Sequence, residues 1–323
     1  MNHNEMSNSI PFDSAETLEE LHTMLDLAQF KNGWAKPTPS LYPEPKKKYI
    51  PAHWKFKDAY DALHSAGRLV STEFAERRNL ILANPIKGND YPTVSTLVGA
   101  YQMVKGGEKA KSHKHSPNAM RIIIKGDPNA FTVVDGKSIP MMDGDVLLTP
   151  NGSFHGHDNQ SENEAYWIDI LDVPLVQFLG PMFFQTHPDH FESNIQYDQN
   201  SEMRFSYASF SKEVLLQDES ENGIRELKLG PTQLITFDRY VIHLNANINW
   251  INTKTTFNQL FVVLKGSGTT RVDDYSFNWT VGDFIAIPNW YDFSHESLED
   301  SILIRVTDYP LLKMLNFDKF NLS

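Results

Sequence analysis

The chain has 323 residues, of which 40% are hydrophobic and 12% aromatic, enough for one or two packed cores, so wholesale disorder is excluded. Its 41 acidic and 29 basic residues give a formal charge of −12, which disfavours nucleic acid and anionic membranes as partners. The absence of cysteine excludes disulfides, thiolate metal sites and cysteine nucleophiles, so any metal must be held by histidines and carboxylates.

Two helices are predicted in the first 80 residues. Ser14 precedes an acidic, leucine-bearing segment that is typical of a capped amphipathic helix. Apolar residues fall at helical spacing from Phe56 to Val70, whereas the proline-rich stretch 37–51 cannot be helical. The first 12 residues lack the features of a signal peptide, and no apolar run has transmembrane length, so we expect a cytoplasmic protein that does not contact membranes.

From about Leu80 the sequence changes to short β-type runs separated by turn residues, a pattern typical of an antiparallel sandwich or barrel. Two such regions are similar to each other. The segment RIIIKG at 121–126 matches FVVLKG at 261–266, and residues 133–151 match residues 271–289. The offsets are 140 and 138, and a hairpin turn can absorb the difference. The sequence therefore predicts a duplication, with two β-barrels fused in one chain.

This pattern predicts four segments. Residues 1–90 form an N-terminal arm with two helices, and residues 91–186 form the first barrel. Residues 187–230 are polar and carry an acidic run, so we expect a linker there. Residues 231–323 form the second barrel.

Two His-x-His pairs, His113/His115 and His155/His157, both fall in the first barrel. Side chains two residues apart on a strand project from the same face, so each pair can point into the barrel. A Gly- and Pro-containing turn precedes the second pair and can deliver it from a neighbouring strand. The alternative is that the first pair lies on the surface beside two lysines.

The histidine pairs also carry a family resemblance. The segment HKH with Gly126, and the spacing G-x5-P-x-G-x2-H-x3-N that ends at Asn159, resemble the two motifs of the cupin superfamily. The acidic residue usual in the first motif is missing from SPNAM at 116–120. The resemblance therefore implies three neutral ligands and up to three open positions on an octahedral ion; the implied ligands are His113, His115 and His155.

The longer string from about Arg77 to Val176 resembles the ring-cleaving bicupins of the gentisate, salicylate and 1-hydroxy-2-naphthoate dioxygenase group. The resemblance implies a mainly β fold: two tandem cupin barrels, of the double-stranded β-helix or jelly-roll type, with a helical and extended arm. It also implies a non-haem Fe(2+) enzyme that inserts O2 into a hydroxylated aromatic carboxylate. Cleavage would fall between the carboxyl-bearing and hydroxyl-bearing ring carbons, and the implied assembly is a homotetramer.

The same resemblance implies roles for further residues. His157 resembles an acid–base histidine beside the metal, with Asp169 as its carboxylate neighbour. Arg121 would bind the substrate carboxylate through its guanidinium fork, or merely pair with a barrel carboxylate. The other implied substrate contacts are Gln102, either Arg77 or Arg78, and Val98. At this last position related enzymes often have Trp, so the valine favours a bulkier or differently substituted ring than gentisate.

The second barrel lacks this ligand set. The offsets place Thr253, Thr255 and Phe293 at the ligand positions and His295 at the position of His157, so we expect a metal-free, structural barrel. Two other functions remain open. One is a different metallocupin enzyme, such as an oxalate decarboxylase or a flavonol dioxygenase, which the missing acid and the empty second barrel disfavour. The other is a non-catalytic cupin that binds a small ligand.

Overall fold

The structure is a computed structural model that describes residues 10–71, 77–220, 223–231 and 233–319. The chain forms two units, Met1–Lys46 and Lys47–Ser323. The first unit contains a short 3-10 helix, Phe12–Ser14, and the helix α1, Leu18–Leu27.

The N-terminus of α1 differs from the prediction by three residues. Thr17, not Ser14, is the N-cap: its hydroxyl accepts from the Glu20 amide at 3.1 Å. The Glu20 carboxylate accepts in turn from the Thr17 amide, which completes a capping box. The Ser14 hydroxyl instead donates to the Pro11 carbonyl, within the preceding 3-10 turn.

The second unit holds nearly all the regular structure. Its helices are α2 (Phe56–Leu69), α3 (Val173–Leu179), α4 (Tyr207–Glu213) and α5 (Tyr309–Met314), with a 3-10 turn at Val214–Leu216. Its first ten strands are β1 (Ala52–Trp54), β2 (Arg78–Ile81), β3 (Val98–Val104), β4 (Lys109–His115), β5 (Ala119–Lys125), β6 (Asp127–Val134), β7 (Lys137–Met141), β8 (Val146–Thr149), β9 (His155–Asn159) and β10 (Ala165–Leu171). The remaining strands are β11 (Phe184–Thr186), β12 (Gln196–Tyr197), β13 (Arg204–Phe205), β14 (Ile224–Lys228), β15 (Asp238–Leu244), β16 (Asn249–Asn252), β17 (Gln259–Lys265), β18 (Gly268–Val272), β19 (Tyr275–Trp279), β20 (Phe284–Ile287), β21 (Phe293–Ser297) and β22 (Ser301–Thr307).

These strands form two pairs of sheets, one pair for each barrel. The first barrel has the sheets β13-β8-β5-β10-β3-β2 and β11-β4-β9-β6-β7-β12. The second has β1-β20-β17-β22-β15-β14 and β16-β21-β18-β19. The fold is mainly β, with antiparallel pairing throughout these sheets except for β12 against β7. The predicted fold class is confirmed: the chain is a bicupin.

The duplication seen in the sequence recurs strand by strand. β3 and β15 start 140 residues apart, as do β5 and β17, and β9 and β21 start 138 residues apart. The predicted linker, 187–230, carries regular structure: β12 and β13 add edge strands to the first barrel and β14 adds one to the second. These strands are two to five residues long, too short for an alternating pattern to stand out in the sequence.

One core cluster joins the barrels, and each barrel has its own interior cluster. The shared cluster includes Tyr101 of the first barrel and Phe284 of the second. The Tyr101 hydroxyl also donates to the Gly282 carbonyl at 2.8 Å. Among the described helices, none has the length and apolar character that crossing a bilayer would need.

Candidate metal and substrate site

Three histidines meet inside the first barrel. His113 and His115 project from the same face of β4, and the β4–β9 register sets His113 directly opposite His155. One ring nitrogen from each histidine lies within 4.8 Å of a ring nitrogen of the other two. Three of the four histidines in the two His-x-His pairs therefore converge, whereas His157 belongs neither to this group nor to the residues that line the cavity beside it.

Backbone carbonyls fix the orientation of two of these rings. The His115 Nδ1 lies 2.9 Å from the Pro117 carbonyl, and the His155 Nδ1 lies 3.1 Å from the Ser153 carbonyl. A carbonyl can only accept, so each Nδ1 carries the proton and each Nε2 presents its lone pair. The His155 Nε2 is buried and has no hydrogen-bond partner among the described residues. An orphaned imidazole lone pair beside two other histidines fits a divalent metal ion.

Burial keeps the imidazoles of His115 and His155 neutral. It lowers the pKa of His115 to about 4, assisted by the neighbouring His113 and by Arg121 and Arg77. The pKa of His155 is held well below its usual value, first by burial and then by Arg121 and the other two histidines. Neutral imidazole is the form that ligates a metal, so the site is ready for an ion at neutral pH.

A cavity of about 310 Å³ opens beside the three histidines. This volume lies at the small end of the range usual for ligand sites. Its walls include Arg77, Arg121, Gln102 and Val98. The site thus combines a candidate metal centre with two guanidinium groups, which favours an anionic ligand.

Arg121 is wholly buried and fixed by its neighbours on the barrel wall. Its Nη1 donates to the Thr149 hydroxyl at 2.5 Å, and its Nε lies 3.2 Å from the Asp169 Oδ1. The Gln102 side-chain amide donates to the other Asp169 oxygen at 2.7 Å. Asp169 therefore ties together two of the predicted substrate contacts, because β10 lies between β5 and β3 in the sheet.

The predicted pairing of Asp169 with His157 is not formed. Neither ring nitrogen of His157 has a hydrogen-bond partner among the described residues. Trp167, two residues before Asp169 on β10, stacks against the His157 ring instead, with the centroids 4.5 Å apart. The reason is topological: β9 and β10 belong to different sheets, and Arg121 faces Asp169 across the β5–β10 pair.

The structure distinguishes the two adjacent arginines. Arg77 lines the cavity, and its Nη2 lies 3.3 Å from the His113 Nε2. Arg78 points away and is buried, where its guanidinium pairs with Glu108 and donates to the Val70 carbonyl. Successive strand residues face opposite sides, so only one of the pair can reach the cavity. The prediction of a substrate contact is corrected accordingly: Arg78 is a structural residue.

Several wall residues escaped the sequence analysis. Asn79 and Ala100 line the cavity because each lies two residues from a predicted contact on the same strand face, a signal that the period of two offers. Phe184 lies opposite His115 in the β11–β4 pair and packs 4.8 Å from the His113 ring. It lies on the three-residue strand β11, which is too short for a sequence pattern to identify it.

The second barrel is filled where the first is open. Phe261 and Phe293 stand at the positions of Arg121 and His155, and both pack against the buried His295. The first barrel's three histidines are the one cluster of potential metal ligands in the described part of the chain. These aromatic side chains leave the second barrel's interior packed with protein atoms.

Comparison with known proteins agrees with this geometry. The family model described as a cupin domain matches residues 100–171. A gentisate 1,2-dioxygenase of Aquipseudomonas alcaligenes is 30% identical over 305 residues, which cover 85% of this chain and 87% of the relative. A 1-hydroxy-2-naphthoate 1,2-dioxygenase of a Nocardioides strain is 29% identical, with 83% and 78% covered.

The solved structures give the same result. The crystal structure of a salicylate 1,2-dioxygenase from Pseudaminobacter salicylatoxidans superposes with a TM-score of 0.83 at 25% identity, covering 94% of this chain and 96% of that one. A match of that extent spans both barrels. Taken with the sequence relatives, this agreement means that the chain belongs to the gentisate 1,2-dioxygenase family of bicupin ring-cleaving dioxygenases.

Proposed function

We propose that this dioxygenase uses Fe(2+), held by His113, His115 and His155, to cleave the ring of a hydroxylated aromatic carboxylate. The observation that carries the proposal is the buried group of three imidazoles beside a cavity with two arginines. The relatives described above, which are named for action on such acids, support the substrate class. In the overall reaction one ring carbon–carbon bond breaks and both atoms of O2 enter the substrate. The ring-opened product therefore has the composition of the acid plus one O2 molecule, and no further oxidant or reductant is consumed.

Fe(2+) suits this donor set. Imidazole nitrogens also bind zinc, nickel and copper, so the ligands do not choose the metal, and the dioxygenase activity of the family favours iron. When bound, ferrous iron supplies one-electron chemistry with O2 and a positive centre for chelating the acid. Three neutral ligands leave the full +2 charge available to an anionic substrate.

The protein's own residues position the substrate. Arg121 donates a hydrogen bond to Thr149 and forms an ion pair with Asp169, so its guanidinium loses little freedom when it binds a carboxylate. Arg77 adds a second positive group on the same wall. Gln102, fixed through its amide nitrogen to Asp169, keeps its buried Oε1 without a hydrogen-bond partner among the described residues. That oxygen is a ready acceptor for a substrate hydroxyl.

His157 is the proposed proton carrier. Burial, followed by the nearby Arg121 and Arg77, holds its pKa well below the usual value, so the ring is neutral at pH 7. Trp167 packs against the ring, with the centroids 4.5 Å apart. His157 is not among the residues that line the cavity, so a proton from the ring hydroxyl must reach it through the cavity wall before it is returned as the ring opens.

The walls favour a substrate bulkier than gentisate. Val98 and Ala100 are small side chains on the cavity face of β3. The relative named for 1-hydroxy-2-naphthoate supports a bicyclic acid as one candidate.

The test is a reconstitution. The metal-free protein is loaded anaerobically with Fe(2+), and O2 is then admitted with gentisate, salicylate or 1-hydroxy-2-naphthoate. We expect oxygen uptake, a ring-opening absorbance change and incorporation of both atoms of isotopically labelled O2 into the product. Loading with Zn(2+) and the variant His155→Ala serve as controls. No uptake with any of the acids, or equal activity with zinc, would refute the proposal.

We also propose that the protein is a homo-oligomer, a tetramer by family resemblance. Large apolar side chains are exposed on α3 and the segment after it: Phe178 is 86% exposed, Leu179 65% and Phe184 60%. A monomer seldom presents so large an apolar patch to water. Light scattering coupled to size exclusion gives the mass directly, and a 36.9 kDa species at micromolar concentration would contradict the proposal.

A further inference from the structure

Asn118 lies outside the cavity, yet it connects the two loops that carry the metal-site histidines. It is buried, in the short turn between β4 and β5. Its Oδ1 accepts from the Asn151 amide at 3.2 Å, in the loop between β8 and β9. A single side chain thus bridges the segment that follows His115 and the segment that precedes His155.

Each of these loops supplies the carbonyl that orients a histidine. The Pro117 carbonyl, next to Asn118, holds the His115 Nδ1, and the Ser153 carbonyl, two residues after Asn151, holds the His155 Nδ1. The loops are joined once more by the Gly152 amide, which donates to the His115 carbonyl at 2.8 Å. A shift of either loop therefore turns an imidazole.

Asn118 is itself fixed by a buried carboxylate. Its backbone amide donates to the Asp172 Oδ1 at 2.8 Å, and its Nδ2 donates to the Oδ2 at 2.9 Å. The Thr236 hydroxyl, from the chain entering the second barrel, donates to that Oδ2 at 2.5 Å. Asp172 also precedes α3, whose residues Val173 and Gln177 line the cavity.

We propose that Asn118, anchored by Asp172, is a positioning residue that holds the imidazoles of His115 and His155 at the separation a metal ion requires. This inference rests on the proposed metal-dependent function. Residues that hydrogen-bond to a metal-ligating side chain and orient it typically weaken metal binding by about 10- to 100-fold when they are removed. Because Asn118 acts one step further out, through the loops, we expect a loss of about tenfold.

The duplication supplies a matched control. In the second barrel, Asn258 makes the same pair of bonds to Asp308, at 2.7 and 2.6 Å. The Thr96 hydroxyl donates to Asp308, and the Asn289 amide donates to the Asn258 Oδ1 at 3.1 Å. The two clusters make the same hydrogen bonds, but in the second barrel Thr255 and Phe293 occupy the positions of His115 and His155.

The experiment compares Asn118→Ala with Asn258→Ala. Each variant removes the side-chain donor from one buried carboxylate, so the loss in thermal stability is expected to be similar. Dissociation constants for Fe(2+) are measured anaerobically by competition with a chromogenic chelator, and for Zn(2+) by calorimetry, at a temperature where circular dichroism shows both variants folded. We expect about tenfold weaker binding for Asn118→Ala and less than about a twofold change for Asn258→Ala.

Other results are equally decisive. Unchanged affinity in Asn118→Ala, or an equal loss in both variants, would overturn the positioning role. If Asn118→Ala does not fold, the milder pair Asp172→Asn and Asp308→Asn is compared in the same way, since asparagine keeps one acceptor oxygen. If the parent protein binds neither ion, the proposed metal function is refuted, and this inference with it. That failure is told apart from a failure of the positioning role because it is measured on the parent protein, before any variant is made.

Discussion

His157 is the residue whose chemistry the surroundings define most closely. It is buried, its ring packs against Trp167, and the described residues offer its nitrogens no hydrogen bond. An unpaired buried imidazole costs stability, and a group retained at that cost is a candidate for function. The expected carboxylate partner, Asp169, is engaged with Arg121 and Gln102, so any proton on His157 must come from the substrate or from water.

We expect His157→Gln to lower kcat by about 100-fold or more, the usual contribution of a general acid or base, with little change in KM. The acid limb of the pH profile of kcat should flatten as well, because His157, whose pKa is held well below the usual value, no longer takes up a proton there. Steady-state rates from neutral pH downward and metal analysis test this together. Full activity would make His157 a packing residue, and loss of the bound metal would make it a ligand.

Val98 tests the size of the substrate. Its side chain is 2% exposed and forms the cavity wall on β3, opposite Leu171 on β10. We expect Val98→Trp to reduce kcat/KM for 1-hydroxy-2-naphthoate about 10- to 100-fold more than for gentisate, since overpacking by a large side chain costs about 1–3 kcal/mol. Val98→Ile is the conservative control. An equal loss for both acids would mean that this wall does not select by size.

At the level of elements, the two adjacent arginines at the start of β2 point to opposite sides, one into the cavity and one toward neighbouring backbone and side chains. Arg77, immediately before β2, lines the cavity, while the Arg78 side chain points away from the cavity and binds two neighbours. One is the Val70 carbonyl after α2, and the other is Glu108, which also accepts from the Lys105 amide in the β3–β4 turn. The position of Arg77 therefore depends on an ion pair on the other side of its strand.

We expect Glu108→Gln to lower the free energy of unfolding by about 3 kcal/mol, because it leaves the buried Arg78 without a counter-charge. Urea unfolding followed by tryptophan fluorescence measures the change. The control is Asp61→Asn, which breaks the exposed Lys57–Asp61 pair and should cost less than about 1 kcal/mol. Similar losses in the two variants would show that the Arg78 pair is no stronger than a surface one.

At the level of the whole molecule, one barrel carries the site and the other is filled. In the second barrel His295 has no neighbouring imidazole cluster among the described residues; its Nδ1 lies 2.7 Å from the Thr270 hydroxyl. Burial, and then the nearby Arg305, lowers its pKa to about 3. The duplicated barrel has kept the histidine but surrounded it with aromatic rings.

This burial predicts an acid sensitivity. Below the unfolded pKa of 6.5 the unfolded chain takes up a proton that folded His295 accepts only near pH 3. Stability from this group is therefore complete above pH 6.5 and falls by up to about 1.4 kcal/mol per pH unit on the way down. We expect His295→Phe, in metal-free protein, to flatten the slope of unfolding free energy between pH 6.5 and about 4. An unchanged slope would contradict the assigned pKa.

The sequence by itself determined the duplicated β architecture and the two His-x-His pairs, and the family resemblance implied the ligand set. These are local signals: an alternating strand pattern with a period of two puts paired histidines on one face, and the repeat at offsets of 140 and 138 identifies two copies of one barrel. The family resemblance added the roles of Arg121 and Gln102, and the structure brings both to the cavity.

Only the tertiary structure decided which groups face each other across strands distant in sequence. Asp169 pairs with Arg121 and not with His157 because β10 lies beside β5 while β9 belongs to the other sheet. Arg77 and Arg78 could not be told apart until the edge of β2 was placed against β3. Phe184 lies on a strand of only three residues, and the Asn118–Asp172 cluster lies in loops, so neither has a periodic pattern in the sequence. Contacts of this kind depend on register and loop path, which the chain fixes only when the whole core has packed.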